Sequence, residues 1–289
     1  MAGARGKRSV SPGRYVPGVR RSCVDPQDLP TVERKARLRA RRFGSGGIGK
    51  KRGAYNGRPT SYRCRPLSYP YPLVVFDLDG TLVDSAADIA EALNRTLEDI
   101  GLARVPEATV LGWIGDGVRR LVEQAVHAAA RDIDLAEVMP TFMVHYRECL
   151  LRSPRLFDGV PEALAVLRTR GVPLAICTNK PAALVPPLLQ HLGIGDAFSL
   201  VLGGDSLPQR KPSGEPLRHI AAHFGLAVDA CLMVGDSLTD YRAAEDAGMP
   251  IALVRYGYPR GLDLETAHAV AVIDDLRDLP GLASGIPTP

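Results

Sequence analysis

From Pro70 onward the chain alternates short apolar runs with amphipathic stretches, and this alternation constrains the fold more than any other feature. The apolar runs are Leu73–Phe76, Pro173–Cys177, Leu200–Leu202, Cys231–Val234, Ile251–Val254 and Ala271–Ile273. Each is of strand length. Most of the intervening segments carry apolar residues at helical spacing. Val160, Leu164 and Leu167 form one such stripe; Leu217, Ile220, Ala221 and Phe224 form another. Strand and helix repeated in this order predict an α/β fold, a doubly wound parallel sheet with helices on both faces.

One interval departs from the rhythm. Between Ser85 and Leu156 only helical periodicity appears. Its stripes run through Ile89, Leu93, Leu97 and Ile100, through Val118, Leu121, Val122, Ala125 and Val126, and through Met139–Leu151, with Gly101, Pro106, Gly112, Gly115, Gly117 and Pro140 as punctuation. About 70 helical residues placed after the first strand imply a small inserted domain. The expected division is an α/β core of residues 71–85 and 156–289, a helical cap of residues 86–155, and an N-terminal extension of residues 1–70.

Charge separates the extension from the rest. The 289 residues carry +4, yet residues 1–70 hold 18 Lys or Arg against three acids, and the remainder carries −11. A basic segment rich in Gly, Pro and Ser buries too little apolar surface to offset its ordering entropy, so it is expected to be largely disordered, with at most a short helix near Val32–Ala40. The first reading is an upstream extension that contributes nothing to the chemistry; its charge also suits an anionic partner such as nucleic acid, or a targeting leader, although it lacks the apolar stretch of a secretory signal. The Gly44–Lys50 run imitates a phosphate-binding loop but has no preceding strand and no Ser or Thr after the lysine. Five scattered cysteines without a CxxC pair suggest a reducing compartment, hence a cytoplasmic protein. No apolar run reaches membrane-spanning length.

In open parallel sheets, ligands bind beyond the carboxyl ends of the strands. The first apolar run ends in Asp77-Leu78-Asp79-Gly80-Thr81, the second in Thr178-Asn179-Lys180, and the fourth in Gly235-Asp236-Ser237-Leu238-Thr239-Asp240. Before the fourth lies Gln209-Arg210-Lys211-Pro212. Acids, hydroxyls and one or two cations therefore gather at one end of one sheet. Asp77 and Asp79 would repel each other if both were ionised, and a hard divalent cation held by oxygens would offset that charge. Such a constellation suits phosphoryl transfer. Asp77 is placed to act as a nucleophile. Asp79, two residues on and pointing the same way, could exchange protons with the leaving oxygen and the attacking water. Thr178 could bond phosphoryl oxygens, and Lys211 could offset their charge. Asp236 would complete a Mg²⁺ shell. Asp240 would act through water or by orienting a neighbour. Gly80 and Gly235 permit tight backbone turns beside the ligand, and Thr81 is a supporting candidate next to Gly80.

Read together and in order, DLDGTLVDS, CTNKP, RKPSGEP and MVGDSLTD resemble the four motifs of the haloacid dehalogenase superfamily. GWIGDGVRRLVEQA, LFDGVPEALAVLRTRGVPLAICTNKP, LGGD and VRYGYPRG resemble the phosphoglycolate phosphatases. The resemblance implies a Mg²⁺-dependent hydrolase of 2-phosphoglycolate with a cap that closes over the substrate. It implies Asp77 as nucleophile and Asp79 as acid/base. The implied metal ligands are Asp77, the Asp79 backbone carbonyl and Asp236, and the implied phosphate binders are Thr178, Asn179 and Lys211. Trp113, in the cap segment Gly112–Gly117, would meet the substrate, and Arg119 is a candidate for a substrate carboxylate. Arg210 reads as a solvated neighbour of Lys211, and Cys177 as a small buried hydrophobe. Two features depart from the family pattern: the basic extension, and KPSGEP where KPxPxP is usual. Rival readings are another phosphatase, a pyrophosphatase or a sugar-phosphate mutase of the same superfamily. A different class of reading is a nucleic-acid-binding protein acting through residues 1–70.

Overall fold

The computed structural model describes residues 69–131 and 133–282. The expectations for residues 1–68, including the short helix and the phosphate-loop imitation, lie outside the described residues.

Six parallel strands form the main sheet in the order β5-β4-β1-β6-β7-β8. They are β1 (Val74–Phe76), β4 (Leu174–Cys177), β5 (Leu200–Leu202), β6 (Leu232–Gly235), β7 (Ile251–Val254) and β8 (Ala271–Ile273). Each lies in one of the six apolar runs read from the sequence or within a residue of it. β1 is central, pairing Phe76 with Ile176 of β4 on one side and with Val234 of β6 on the other. The chain winds outward from β1 through β4 to β5, then crosses back to build β6, β7 and β8 on the opposite side. The winding reverses at β1, which opens a crevice beyond the carboxyl ends of β1, β4 and β6.

Strand alternation sends neighbouring residues into two separate cores. Val74, Phe76, Leu174, Ile176 and Val234 pack on one face with α5 (Val160–Thr169) and α6 (Val185–His191). Leu73, Val75, Ala175, Cys177 and Met233 pack on the other with α7 (Glu215–His223) and α8 (Leu238–Ala247). Each fully buried Leu, Val or Phe contributes roughly 1.5–3 kcal/mol of transfer free energy. Both faces of the sheet are thus covered, as a doubly wound fold requires.

Between β1 and α5 lie α1 (Ala86–Asp99), α2 (Glu107–Leu111), α3 (Val118–Ala128) and α4 (Leu135–Cys149). The expected stripes face inward: Ile89, Leu93 and Leu97 of α1 pack with Leu121, Val122, Phe142 and Tyr146. Pro140 does not punctuate this region but sits inside α4. Asp134 caps that helix by accepting from the Ala136 amide, and buried Val138, Phe142 and Tyr146 hold its inner face, which outweighs the one backbone bond Pro140 forgoes. Flanking the four helices is a feature absent from the sequence reading. β2 (Val83–Asp84) and β3 (Arg155–Leu156) pair antiparallel, so the two connections to the helical insert run side by side. Two residues per strand are too few to show a period. Among the described residues no helix is long and apolar enough to cross a membrane.

Candidate active site

Register places Asp77, Thr178 and Asp236 one step beyond the paired ends of β1, β4 and β6. Asp77 is locked there by its amide, which donates to the Val234 carbonyl (2.9 Å). Thr178 is fixed the same way by Leu202 (3.0 Å). Lys211 enters from the loop before α7 and is only 2% exposed. Its Nζ lies 2.7 Å from Asp77 Oδ1 and 2.6 Å from Asp240 Oδ1. The approach to Asp77 Oδ1 is close but off-axis, leaving that buried oxygen without a well-formed hydrogen bond. Burial by itself would depress the Lys211 ammonium, but Asp240 and Asp77 outweigh it and hold the group above its ordinary value.

Asp77, Asp236 and Asp240 each bring an oxygen to within 4.8 Å of the others. Burial pushes Asp77 up to about 7 against the pull of Lys211. Burial, with repulsion from Asp240 and Asp77 added, raises Asp236 well above the usual carboxylate range. Three buried acids facing one ammonium leave negative charge in excess, an arrangement suited to a cation. Asp236 is steered by donors on both oxygens: Thr81 Oγ1 to Oδ1 (2.6 Å) and the Tyr258 amide to Oδ2 (2.7 Å). Gly80 (φ +96°) and Gly257 bracket it, and a Cβ at either position would overlap the Asp236 carboxylate.

Asp240 accepts from the Ser237 hydroxyl (2.6 Å), the Ser237 amide (3.1 Å) and the Asp236 amide (3.3 Å), besides Lys211. It forms a capping box with Ser237 at the start of α8. Both of its oxygens are engaged, so it orients the Asp236 loop and Lys211 together.

Asp79 faces elsewhere. Its carboxylate accepts from Ser85 Oγ (2.6 Å) and from Lys180 Nζ (3.0 and 3.3 Å). Lys180 also donates to the Tyr146 hydroxyl (2.6 Å), and its ammonium stands 4.8 Å from that ring's centre. Burial opposes the Lys180 charge, yet Asp79 and then Tyr146 hold its pKa above normal. Burial pushes Tyr146 up to about 12, so it stays a phenol. Both Lys180 and Tyr146 are buried.

Asp77, Asp79, Thr178, Asn179 and Lys180 line one side of a cavity of about 40 Å³. Ile89, Trp113, Ile114, Val118, Leu121 and Tyr146 from the helical insert line the other. The loop Gly112–Gly117 is tied down at three points. Asn179 Nδ2 donates to the Gly115 carbonyl (2.8 Å), Thr239 Oγ1 donates to Asp116 Oδ1 (2.7 Å), and the Arg260 guanidinium pairs with Asp116.

This geometry can be set beside known proteins. Residues 74–254 match the model of the haloacid dehalogenase-like hydrolases. The chain belongs to that family. It is 42% identical over 218 residues to the plasmid phosphoglycolate phosphatase of Cupriavidus necator, covering 75% of this chain and 94% of that one. It is 39% identical to the phosphoglycolate phosphatase of Colwellia psychrerythraea, covering 66% and 88%. A crystal structure described as a predicted phosphoglycolate phosphatase from Haemophilus somnus 129PT superposes with a TM-score of 0.69 at 36% identity, covering 73% of this chain and 96% of that one.

Hydrolases of this family generally use a divalent metal, and the residues present fit one. The cluster of three acids, the buried Asp77 oxygen lacking a proper hydrogen bond, and the glycines that leave Asp236 its space all suit a small hard cation. The Asp79 carboxylate is turned away from this cluster, so that residue could contribute only its backbone carbonyl.

The Asn179 side-chain amide donates both hydrogens to carbonyls, those of Gly115 and Lys211 (2.9 Å), so that a phosphate contact from this residue would fall to its backbone amide. Its side chain braces the Gly112–Gly117 loop instead. Arg119 is exposed and does not line the cavity. Cys177 is buried, which pushes its thiol up to about 12 and keeps it an inert hydrophobe.

Sequence reasoning assigned no role to Lys180, Tyr146 or the loop after β7. Lys180 adjoins Thr178 and Asn179 in a strand-end loop, and that position was its one local signal. Tyr146 is one of several large residues on α4, and nothing in its neighbourhood marks it. In the loop after β7, Tyr256 Oη donates to the Thr81 carbonyl (2.9 Å), Tyr258 Oη donates to Asp84 Oδ1 of β2 (2.8 Å), and Arg260 reaches Asp116. Arg260 adopts a left-handed backbone (φ +51°), uncommon for a residue with a Cβ.

Proposed function

We propose that the chain is a Mg²⁺-dependent phosphatase that hydrolyses 2-phosphoglycolate to glycolate and phosphate through an aspartyl-phosphate on Asp77. The observation that carries this reading is the division of labour between two aspartates two residues apart. Asp77 sits among acids and Lys211 with one oxygen lacking a well-formed hydrogen bond, whereas Asp79 is held on the cavity side by Lys180 and Ser85.

In the first half-reaction the Asp77 carboxylate attacks phosphorus and the bond to the glycolate oxygen breaks. The Asp79 carboxyl gives that oxygen its proton. In the second, Asp79 takes a proton from water as the water attacks phosphorus, and the bond to Asp77 breaks. Lys211 and the Thr178 hydroxyl meet the phosphoryl oxygens as negative charge spreads across them. Mg²⁺, when bound by Asp77, Asp236 and the Asp79 carbonyl, supplies positive charge beside those same oxygens. Trp113 and Ile114 keep bulk water from the reacting atoms. The curated relatives named above are phosphoglycolate phosphatases, which supports 2-phosphoglycolate as the substrate.

Purified protein supplied with Mg²⁺ should release phosphate from 2-phosphoglycolate, with a higher kcat/KM than for hexose phosphates, nucleotides or pyrophosphate. Asp77→Asn should lower kcat by about 10³-fold or more while leaving the fold intact by circular dichroism. Near-normal turnover by that variant would end the proposal.

A further inference from the structure

A second recess, of about 400 Å³, opens along the seam between the helical insert and the core. Its walls carry Arg120 of α3, Arg210, Arg242 of α8 and Arg260, with Asp116 as the one acid. Residues 71–289 are otherwise acidic, at −11, so four arginines lining one recess run against the charge of the body that holds them. Arg260 is paired with Asp116, and Arg120 with Glu123 (2.6 Å), a pair exposed to solvent. Arg210 and Arg242 have no ion-pair partner among the described residues. Lys211 also borders the recess, but its ammonium is committed to Asp77 and Asp240. Like charges brought together in this way attract a counter-ion.

No residue lines both this recess and the catalytic cavity. Gly115 and Gly117 face the catalytic cavity and Asp116 faces the recess, so the Gly112–Gly117 loop is the partition between them. We propose that the recess binds a small phosphate-bearing anion, distinct from the substrate, gripped by Arg120 on one side of the seam and by Arg210 and Arg242 on the other. Guanidinium groups match phosphate oxygens through paired N–H donors, and the volume is that of a small-ligand site. Bridging the seam holds the loop in the position seen here, so the anion tunes cap opening without touching the reacting atoms.

Inorganic phosphate is the probe. Equilibrium dialysis of the Mg²⁺-loaded full chain should find two phosphates per chain. In chelator only one should remain, since three acids against Lys211 then repel phosphate from the catalytic cavity. The double variant Arg210→Gln/Arg242→Gln should bind the second phosphate at least about ten-fold more weakly, while its turnover in phosphate-free buffer stays within about two-fold of the parent. Arg120→Gln, a change at an exposed position, should weaken the same site and serves if the double variant misfolds. One phosphate per loaded chain, none in chelator, two unchanged in the double variant, or loss of the second phosphate on saturation with a substrate analogue would each overturn the proposal.

Discussion

Lys211 illustrates how much one side chain can carry when it is 2% exposed among carboxylates. Its charge is sustained by Asp240 and Asp77, and Asp240 in turn positions the Asp236 loop, so Lys211, Asp77 and Asp236 are set by one chain of contacts. Thr81 tests the metal side of this chain. Thr81→Val keeps the volume but removes the donor to Asp236 Oδ1. The half-saturating Mg²⁺ concentration should rise by about ten-fold, with kcat largely recovered at high Mg²⁺, as read from activity against metal concentration. Lys180 tests the proton-transfer role proposed for Asp79. Lys180→Met should lower kcat by about ten- to a hundred-fold with a smaller change in KM, because Asp79 loses the group that aims it. Tyr146→Phe, which removes only the hydroxyl beyond Lys180, should fall between that variant and the parent.

At the scale of elements, the loop Tyr256–Arg260 joins parts of the molecule that are far apart in sequence. It bonds the Gly80–Thr81 turn through Tyr256, steers Asp236 through the Tyr258 amide, meets β2 through the Tyr258 hydroxyl, and latches the Gly112–Gly117 loop through Arg260. The connections to the helical insert, the acid cluster and the cavity wall therefore share one support. Asp116→Asn and Arg260→Gln should each raise KM several-fold with the fold intact, and the double variant should do little more than either single one. Simple addition of the two effects in steady-state kinetics would mean that the pair does not act as one latch. The paired strands β2 and β3 fit the same picture, since they hold the entrance and exit of the insert together.

For the whole molecule, concentrating acids at the point where the sheet's winding reverses has a cost that depends on pH. Asp77 and Asp236 both have pKa values raised above those of the unfolded chain, Asp77 to about 7. The native state therefore holds more protons than the unfolded state from about pH 4 to about pH 7, and metal-free protein should lose stability as pH rises through that window. A bound divalent cation removes the conflict. The gain in Tm on adding Mg²⁺ should be larger at pH 8 than at pH 5.5 in thermal melts, and an equal gain at both would contradict the charge assignment.

The order of strands and helices was legible in the chain because strand and helix periods are local, readable over 4 to 15 residues. The acids were legible because the carboxyl ends of parallel strands converge whatever the remaining packing. The strands β2 and β3 were too short to show a pattern, and Pro140 misled because packing overrode a local rule. By itself, then, the sequence determined a doubly wound sheet with a helical insert and acids, a threonine and a lysine at one end of it. Only the tertiary structure decided that Lys180 and Tyr146 hold Asp79, that Asn179 braces a loop, and that Arg260 meets Asp116. Those partners lie 34 or more residues apart in the chain, except Lys180 and Asn179 themselves, and only the packing of separate elements brings them into contact.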